Sequence, residues 1–318
     1  MGTVIRAAAV AAPPLGYTSE TSVRLAARAA NECLSQAGVP PRAVGVLINV
    51  GVYREDNTAE PAMAAMVQKD VGISLDYLAE PAAGFSFDLM NGACGVLNAV
   101  QVAQTLLNTG STERVLITAA DTHPAGRAAD DPDYPYADLG AALLLERSGD
   151  GGFGRVRTYG ARGPVGTAGL VDMARVGTEG RWRISVERDD DWEERLLDLT
   201  VRSVIDHVRE EGTSLDRTLL ICNRPTAGFP QLLAQRLTPA PAAVMAPEAP
   251  DTTDGEPHTA APLLGYLRAL AEGVSDGCDR LLFVTAGAGL SVACAHYEFP
   301  AGPAGGTAAA ALAGQVTA

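Results

Sequence analysis

Apolar residues along this chain follow two alternating rhythms. Short, nearly continuous apolar runs at Val4–Ala11, Val44–Val50, Val115–Ala119 and Ala141–Leu145 read as strands buried on both faces. Between them lie segments with apolar positions at helical spacing, each stopped by a glycine. These are Ser22–Ala37 before Gly38, Pro61–Val71 before Gly72, and Cys94–Asn108 before Gly110. A glycine just past the last periodic residue ends a helix because it accepts a positive φ. Phe85–Met90 reads as a strand that feeds directly into the third helix. The order is β-α-β-α-β-α-β-β, which predicts helices covering a mainly parallel sheet.

A Gly-rich stretch, Gly151–Gly163, separates this half from a second one. There Trp192–Glu211 reads as a long helix, with Asp191, Glu193 and Glu194 at its positive N-terminal end. Thr218–Cys222 predicts a strand, and Phe229–Leu237 and Ala261–Ala271 predict helices. Leu281–Thr285 and Ser291–Phe299 predict strands joined by the turn Ala286-Gly287-Ala288-Gly289. The halves share a strand–helix order without convincing sequence identity. The expected division is 1–155, 156–300 and a disordered Ala/Gly/Thr/Pro tail at 301–318.

Composition narrows the classes. With 47% hydrophobic and 19% charged residues among 318, the chain can bury a sizeable core, which excludes global disorder. The 38 acidic residues outnumber the 24 basic ones, a formal charge of -14 that repels phosphate backbones, so no nucleic-acid partner is expected. Lys69 is the sole lysine. Cys33, Cys94, Cys222, Cys278 and Cys294 are irregularly spaced with no CxxC pair, which disfavours a disulfide framework or zinc site and fits a reducing cytoplasm. The acidic run Asp189–Glu194 lacks calcium-ligand spacing, so no metal is expected. No apolar run has the roughly 18 residues that span a bilayer, so no membrane partner is expected. His207 reads as a surface residue of its helix, His123 as a turn residue and His296 as structural.

Cys94 is the most informative position. It lies where a strand turns into a helix among the small residues Gly92, Ala93 and Gly95. Such a thiol feels the positive helix end, which favours the thiolate, and the nearby amides suit an oxyanion. A buried structural cysteine is the competing reading. The segment Phe87–Gly110 resembles the nucleophile segment of ketoacyl-ACP synthase III, within the thiolase superfamily. The resemblance extends over nearly the whole chain, through Val44–Ile73, Asp138–Leu145 and the hairpin Leu281–Phe299. It implies a thiolase-like α/β fold: two similar helix-covered mixed-sheet halves in an α-β-α-β-α sandwich, assembled as a homodimer. It also implies that Cys94 accepts an acyl group and that the Cys94 and Ala288 amides form the oxyanion hole, with Gly287 and Gly289 flanking the latter.

Four departures from the family pattern bear on the reaction. Where the family carries histidine and later asparagine, this chain has Asn223 and His258, so the two are exchanged. A histidine can shuttle protons, whereas an amide can only donate or accept hydrogen bonds. The exchange keeps decarboxylative condensation open but shifts weight toward simple acyl transfer. Glu60 stands where an apolar residue caps the acyl pocket, and Ala286 where a bulky aromatic is common. Finally, Pro14-Leu-Gly-Tyr-Thr-Ser runs almost directly into the next helix, so the family's clamp on the adenine end of coenzyme A is expected to be absent and a carrier-protein-bound thioester is expected over free coenzyme A. The resemblance thus implies an acyl-thioester enzyme of specialised biosynthesis, with no cofactor beyond its thioester substrate. The donor is an acyl carrier protein or acyl-CoA thioester, and the acceptor is a small molecule or carrier-bound. The alternative is a non-catalytic partner subunit of a ketosynthase heterodimer. Because carrier proteins are usually acidic, the -14 charge leads us to expect a local arginine patch at the mouth above Cys94, or else a small-molecule donor.

Overall fold

The computed structural model describes residues 2–14, 20–58, 60–73, 84–125, 134–161, 167–170, 174, 176–180, 182, 185–273 and 278–300. The expected tail at 301–318 and residues 15–19 of the short segment after the first strand lie outside the described residues.

In the first half, β1 (Gly2–Ala11), α1 (Ser22–Ala37), β2 (Val46–Asn49), α2 (Met63–Val71), β3 (Phe85–Asp88), α3 (Gly95–Asn108), β4 (Arg114–Asp121) and β5 (Leu139–Ser148) follow in order. After β6 (Gly152–Phe153) come β7 (Arg157–Gly160), β8 (Thr167–Leu170), α4 (Val176–Glu179), β9 (Ser185–Arg188), α5 (Trp192–Glu211) and β10 (Thr218–Cys222). The chain continues with α6 (Phe229–Arg236), β11 (Ala243–Met245), α7 (Ala261–Glu272), β12 (Arg280–Gly287) and β13 (Ser291–Glu298).

The first-half strands lie in the order β3-β2-β4-β5-β1; β3, β2 and β4 are parallel, and β5 and β1 antiparallel to their neighbours. The second half repeats this order as β11-β10-β12-β13-β7, with the same sense at every pairing. The repeat reaches single residues: Arg114 faces Glu146 at the end of β4–β5, and Arg280 faces Glu298 at the end of β12–β13.

Alternation along the strands explains the layers. Val46, Ile48, Val115 and Ile117 face one way and join Leu219, Ile221, Leu281 and Phe283 around the central helices α3 and α7. Leu47, Leu116 and Leu144 face the other way, onto α1 and α2. Leu220, Leu282 and Val292 face α5 and α6. The result is the expected α-β-α-β-α arrangement. The two half-sheets also meet edge to edge, because Phe153 of β6 pairs with both Thr3 of β1 and Tyr297 of β13.

The sequence pattern missed β6 to β9 and β11. β7 alternates half-buried with exposed residues, and β11 is half-buried throughout, so neither carries an apolar run. His207 is a correction: it is fully buried between α5 and β13, where its Nε2 lies 3.0 Å from His296 Nδ1. The charged neighbours that suggested a surface position lie on the other faces of α5.

Candidate active site

Asp88, at the C-terminal end of β3, sets the local frame. Its carboxylate accepts from the Asn49 side chain (2.8 Å) and from the Met63 and Ala64 amides (3.0 Å each), satisfying the free N–H groups that begin α2. The chain then makes a 3-10 turn, Gly92–Cys94, and enters α3. Gly92 has φ +50, and a side chain there would meet His258 Nε2 at 3.5 Å. That separation is ordinary contact, so it is the left-handed backbone rather than space that favours glycine here.

Cys94 is fully buried, and its Sγ lies 3.4 Å from the Thr285 carbonyl and 3.6 Å from that of Ser291. Both are acceptors, so the group is a thiol donating a proton. Burial pushes its pKa up, and the hydrogen bonds around Thr285 and Ser291 offset this only in part. Burial thus works against the thiolate that the helix end favours. Of the two expected oxyanion donors, the Cys94 amide bonds the Asn91 carbonyl at 3.1 Å. The Ala288 amide has no hydrogen bond among the described residues, while its carbonyl accepts from Trp192 Nε1 at 2.8 Å.

His258 begins the equivalent 3-10 turn, His258–Ala260, before α7, and holds a left-handed φ of +47. Its Nδ1 lies 2.9 Å from Asp121 Oδ2, which also accepts from Thr259 Oγ1 at 2.5 Å. Asp121 Oδ1 accepts from the Val52 and Tyr53 amides at 2.8 and 2.9 Å. Burial alone would lower the histidine pKa, but the Asp121 carboxylate outweighs it and the net shift is upward. Burial would raise that of Asp121, but His258 and the donors beside it bring it below the usual carboxylate range. Glu256 Oε2 accepts from the His258 amide at 3.0 Å, and burial raises the Glu256 pKa. The Tyr136 ring covers the imidazole at 4.1 Å between centroids, with Tyr53 beside it at 5.4 Å.

Asn223 is buried against the opposite wall. Its Oδ1 accepts from the Ala286 amide (2.8 Å) and its Nδ2 donates to the Ala286 carbonyl (3.0 Å). The structure thus brings Cys94, His258, Asn223, Ala286, Gly287 and Ala288 around one site. A cleft with room for about 30 Å³, a water or two, is lined by His258, Asn223, Ala286 and Ala288 with Ala93, Tyr136, Arg188 and Trp192, while Cys94 lies buried beside Ala93 and outside its lining. Gly289 is open to solvent, and Glu60 is exposed and outside this cleft. The expected arginine patch reduces to Arg188, the one arginine lining the cleft among the described residues, whose guanidinium carbon lies 4.9 Å from the centre of the Trp192 ring. A wider depression alongside, about 380 Å³, is rimmed by Glu248, Asp251 and Asp254, with Arg224 ion-paired to Glu248.

Sequence reasoning missed Asp121, Glu256, Tyr53 and Tyr136. A signal existed for Asp121: a carboxylate closing an apolar parallel strand points into the crevice beyond the strand ends.

No protein-family model matches the chain. Over 131 residues it is 34% identical to the β-ketoacyl-[acyl-carrier-protein] synthase III of Cereibacter sphaeroides, a match covering 40% of this chain and 37% of that relative. The chain therefore spans little more than a third of the length of the curated relatives it matches. Among solved structures, 3-oxoacyl-[acyl-carrier-protein] synthase III of Aquifex aeolicus superimposes with a TM-score of 0.71 at 19% identity, covering 94% of this chain and 100% of that one. AbyA1, a tetronic acid condensing enzyme, superimposes with a TM-score of 0.72 at 20% identity, covering 93% and 100%. With its repeated five-strand order, the chain has the α/β fold of these synthases, and over the matched 131 residues its sequence is similar to β-ketoacyl-[acyl-carrier-protein] synthase III.

Proposed function

We propose that this chain is an acyl-thioester enzyme that loads an acyl group on Cys94 and passes it to an acceptor in a specialised biosynthetic pathway. The observation that carries this reading is the pairing of two equivalent turns. One brings Cys94 to the site, the other brings His258 backed by Asp121, and His258 Nε2 lies against Gly92 of the Cys94 turn. In the loading step the Cys94 sulfur attacks the thioester carbonyl. Its proton passes through His258 to the departing thiol, and the carbonyl oxygen meets the Ala288 amide. The thioester of an acyl carrier protein or of coenzyme A supplies the acyl group, and no other cofactor takes part. We place the protein in a homodimer paired through β3, whose outer edge is unpaired among the described residues and carries exposed Phe85.

One observation favours a second reading, a non-catalytic ketosynthase partner: the Cys94 thiol is fully buried and bonded to a carbonyl. Intact-mass measurement after incubation with acyl-carrier and acyl-pantetheine thioesters separates the two. A wild-type acyl adduct absent from Cys94→Ala is the expected result. No adduct with any donor would leave the non-catalytic reading standing.

A further inference from the structure

We infer that the acceptor in the second half-reaction is an alcohol or an amine, with His258 as the base that deprotonates it and Asp121 as the residue that positions that base. This rests on the proposal that Cys94 carries the acyl group.

Decarboxylative condensation needs hydrogen-bond donors aimed at a developing thioester enolate, since its nucleophile forms by loss of carbon dioxide and no base has to remove a proton. Both expected donors are already hydrogen-bonded within the protein. Asn223 is tied to Ala286 through both Oδ1 and Nδ2. Asp121 Oδ2 accepts from His258 Nδ1 at 2.9 Å, which puts the proton of the neutral ring on Nδ1 and leaves Nε2 with a lone pair. That atom is the one turned toward Gly92 and the Cys94 turn. A neutral His258 in this tautomer accepts protons at the site and donates none.

Transfer to a protic acceptor needs that atom. As the acceptor oxygen or nitrogen bonds to the acyl carbon, its proton moves to Nε2. The tetrahedral intermediate then collapses, the carbon–sulfur bond breaks with its electron pair going to Cys94, and the imidazolium returns the proton to that sulfur. Ester or amide and free thiol result, with no carbon dioxide. Between the two steps the imidazolium is held by Asp121, with Glu256 as the second carboxylate facing it. Tyr53 and Tyr136 cover the ring, and Thr259 shares the Asp121 oxygen.

The two chemistries demand opposite charge states of one ring. Transfer requires neutral His258 and gains rate as pH rises past its pKa, which the carboxylates hold above the usual histidine value. Condensation through an Nε2–H donor requires the imidazolium and loses rate over the same range.

The test begins with wild-type enzyme loaded from acyl-N-acetylcysteamine thioesters and checked by intact mass. Failure to load counts against the earlier proposal rather than this one. Loaded enzyme is then offered ethanolamine, glycerol and carboxyl-labelled malonyl-CoA. Expected are amide or ester products, no labelled carbon dioxide, and discharge about tenfold faster at pH 8.5 than at pH 6. Asp121→Asn should discharge about 10²- to 10⁴-fold more slowly, with its pH inflection shifted down and partial rescue in Asp121→Glu. Labelled carbon dioxide with a carbon–carbon product, discharge to none of the protic acceptors, or discharge that slows with rising pH would overturn the inference while leaving acyl loading intact. The wild-type comparisons need no variant, so a failure of Asp121→Asn to fold does not affect them.

Discussion

Gly287 shows how tightly Cys94, the proposed nucleophile, is seated. A Cβ there would lie 2.8 Å from Ser291 Oγ and 3.3 Å from Cys94 Sγ. The serine hydroxyl can rotate away, but the buried sulfur has little freedom. Gly287→Ala should therefore fold with a loss of only about 1 kcal/mol while slowing acyl loading about tenfold or more, since small misplacements of a reacting atom are costly. Urea unfolding and an intact-mass time course check the two halves of that statement. Cys94 was legible in the sequence because its small neighbours and its place between strand and helix are local features. The Asp121–His258 bond was not, because it joins residues 137 positions apart. Only the meeting of β4 with the turn before α7 creates it. Asn223 was found for its position, but its work as a clamp on Ala286 depends on a strand that sequence alone does not bring near.

At the scale of elements, strands with apolar runs and helices stopped by glycine were read correctly, while short strands of two to four residues without an apolar run, such as β7, were not. The contact between α5 and β13 has its own consequence. His207 and His296 stack at 4.8 Å between ring centres, and Thr213 Oγ1 lies 2.9 Å from His296 Nε2. Burial, with Arg157 near His207 and His207 near His296, brings both down from the usual 6.5 to about 4. Folded-state values below the unfolded ones mean that the unfolded chain takes up protons first as pH falls. Stability from this pair is thus complete above pH ~6.5 and is lost on acidification toward pH 4. The pair's own contribution should fall with a limiting slope of about 2.7 kcal/mol per pH unit for two protons, opposed in the whole protein by His258. It is read as the difference between wild type and His207→Phe in urea unfolding at pH 7.5, 6.5 and 5.5. His207→Phe should roughly halve that slope.

For the whole molecule, the two halves expected on either side of Gly151–Gly163 are two repeats of one strand order around a shared core of α3 and α7. Their shared order was legible without sequence identity, because it is held by which faces are apolar rather than by residue identity. The exposed edge of β3 gives the proposed dimer a direct check. Phe85→Asp should convert a dimer to a monomer by light scattering at micromolar concentration, since a charge at an apolar edge blocks pairing. A wild-type monomer would refute the assembly. The net charge of -14 is not relieved by an arginine patch at the cleft, where Arg188 stands alone among the described lining residues. That arrangement suits a small thioester donor better than an acidic carrier protein.

The left-handed backbone at His258 also limits what mutation can place there. Asparagine, aspartate, histidine and glycine are the residues that enter this conformation most readily. An exchange between histidine and asparagine at this position therefore asks no rearrangement of the chain, and descent can move between a proton-shuttling and an amide-bearing site by a single substitution. Lineages that keep this turn can change their chemistry without first rebuilding their fold.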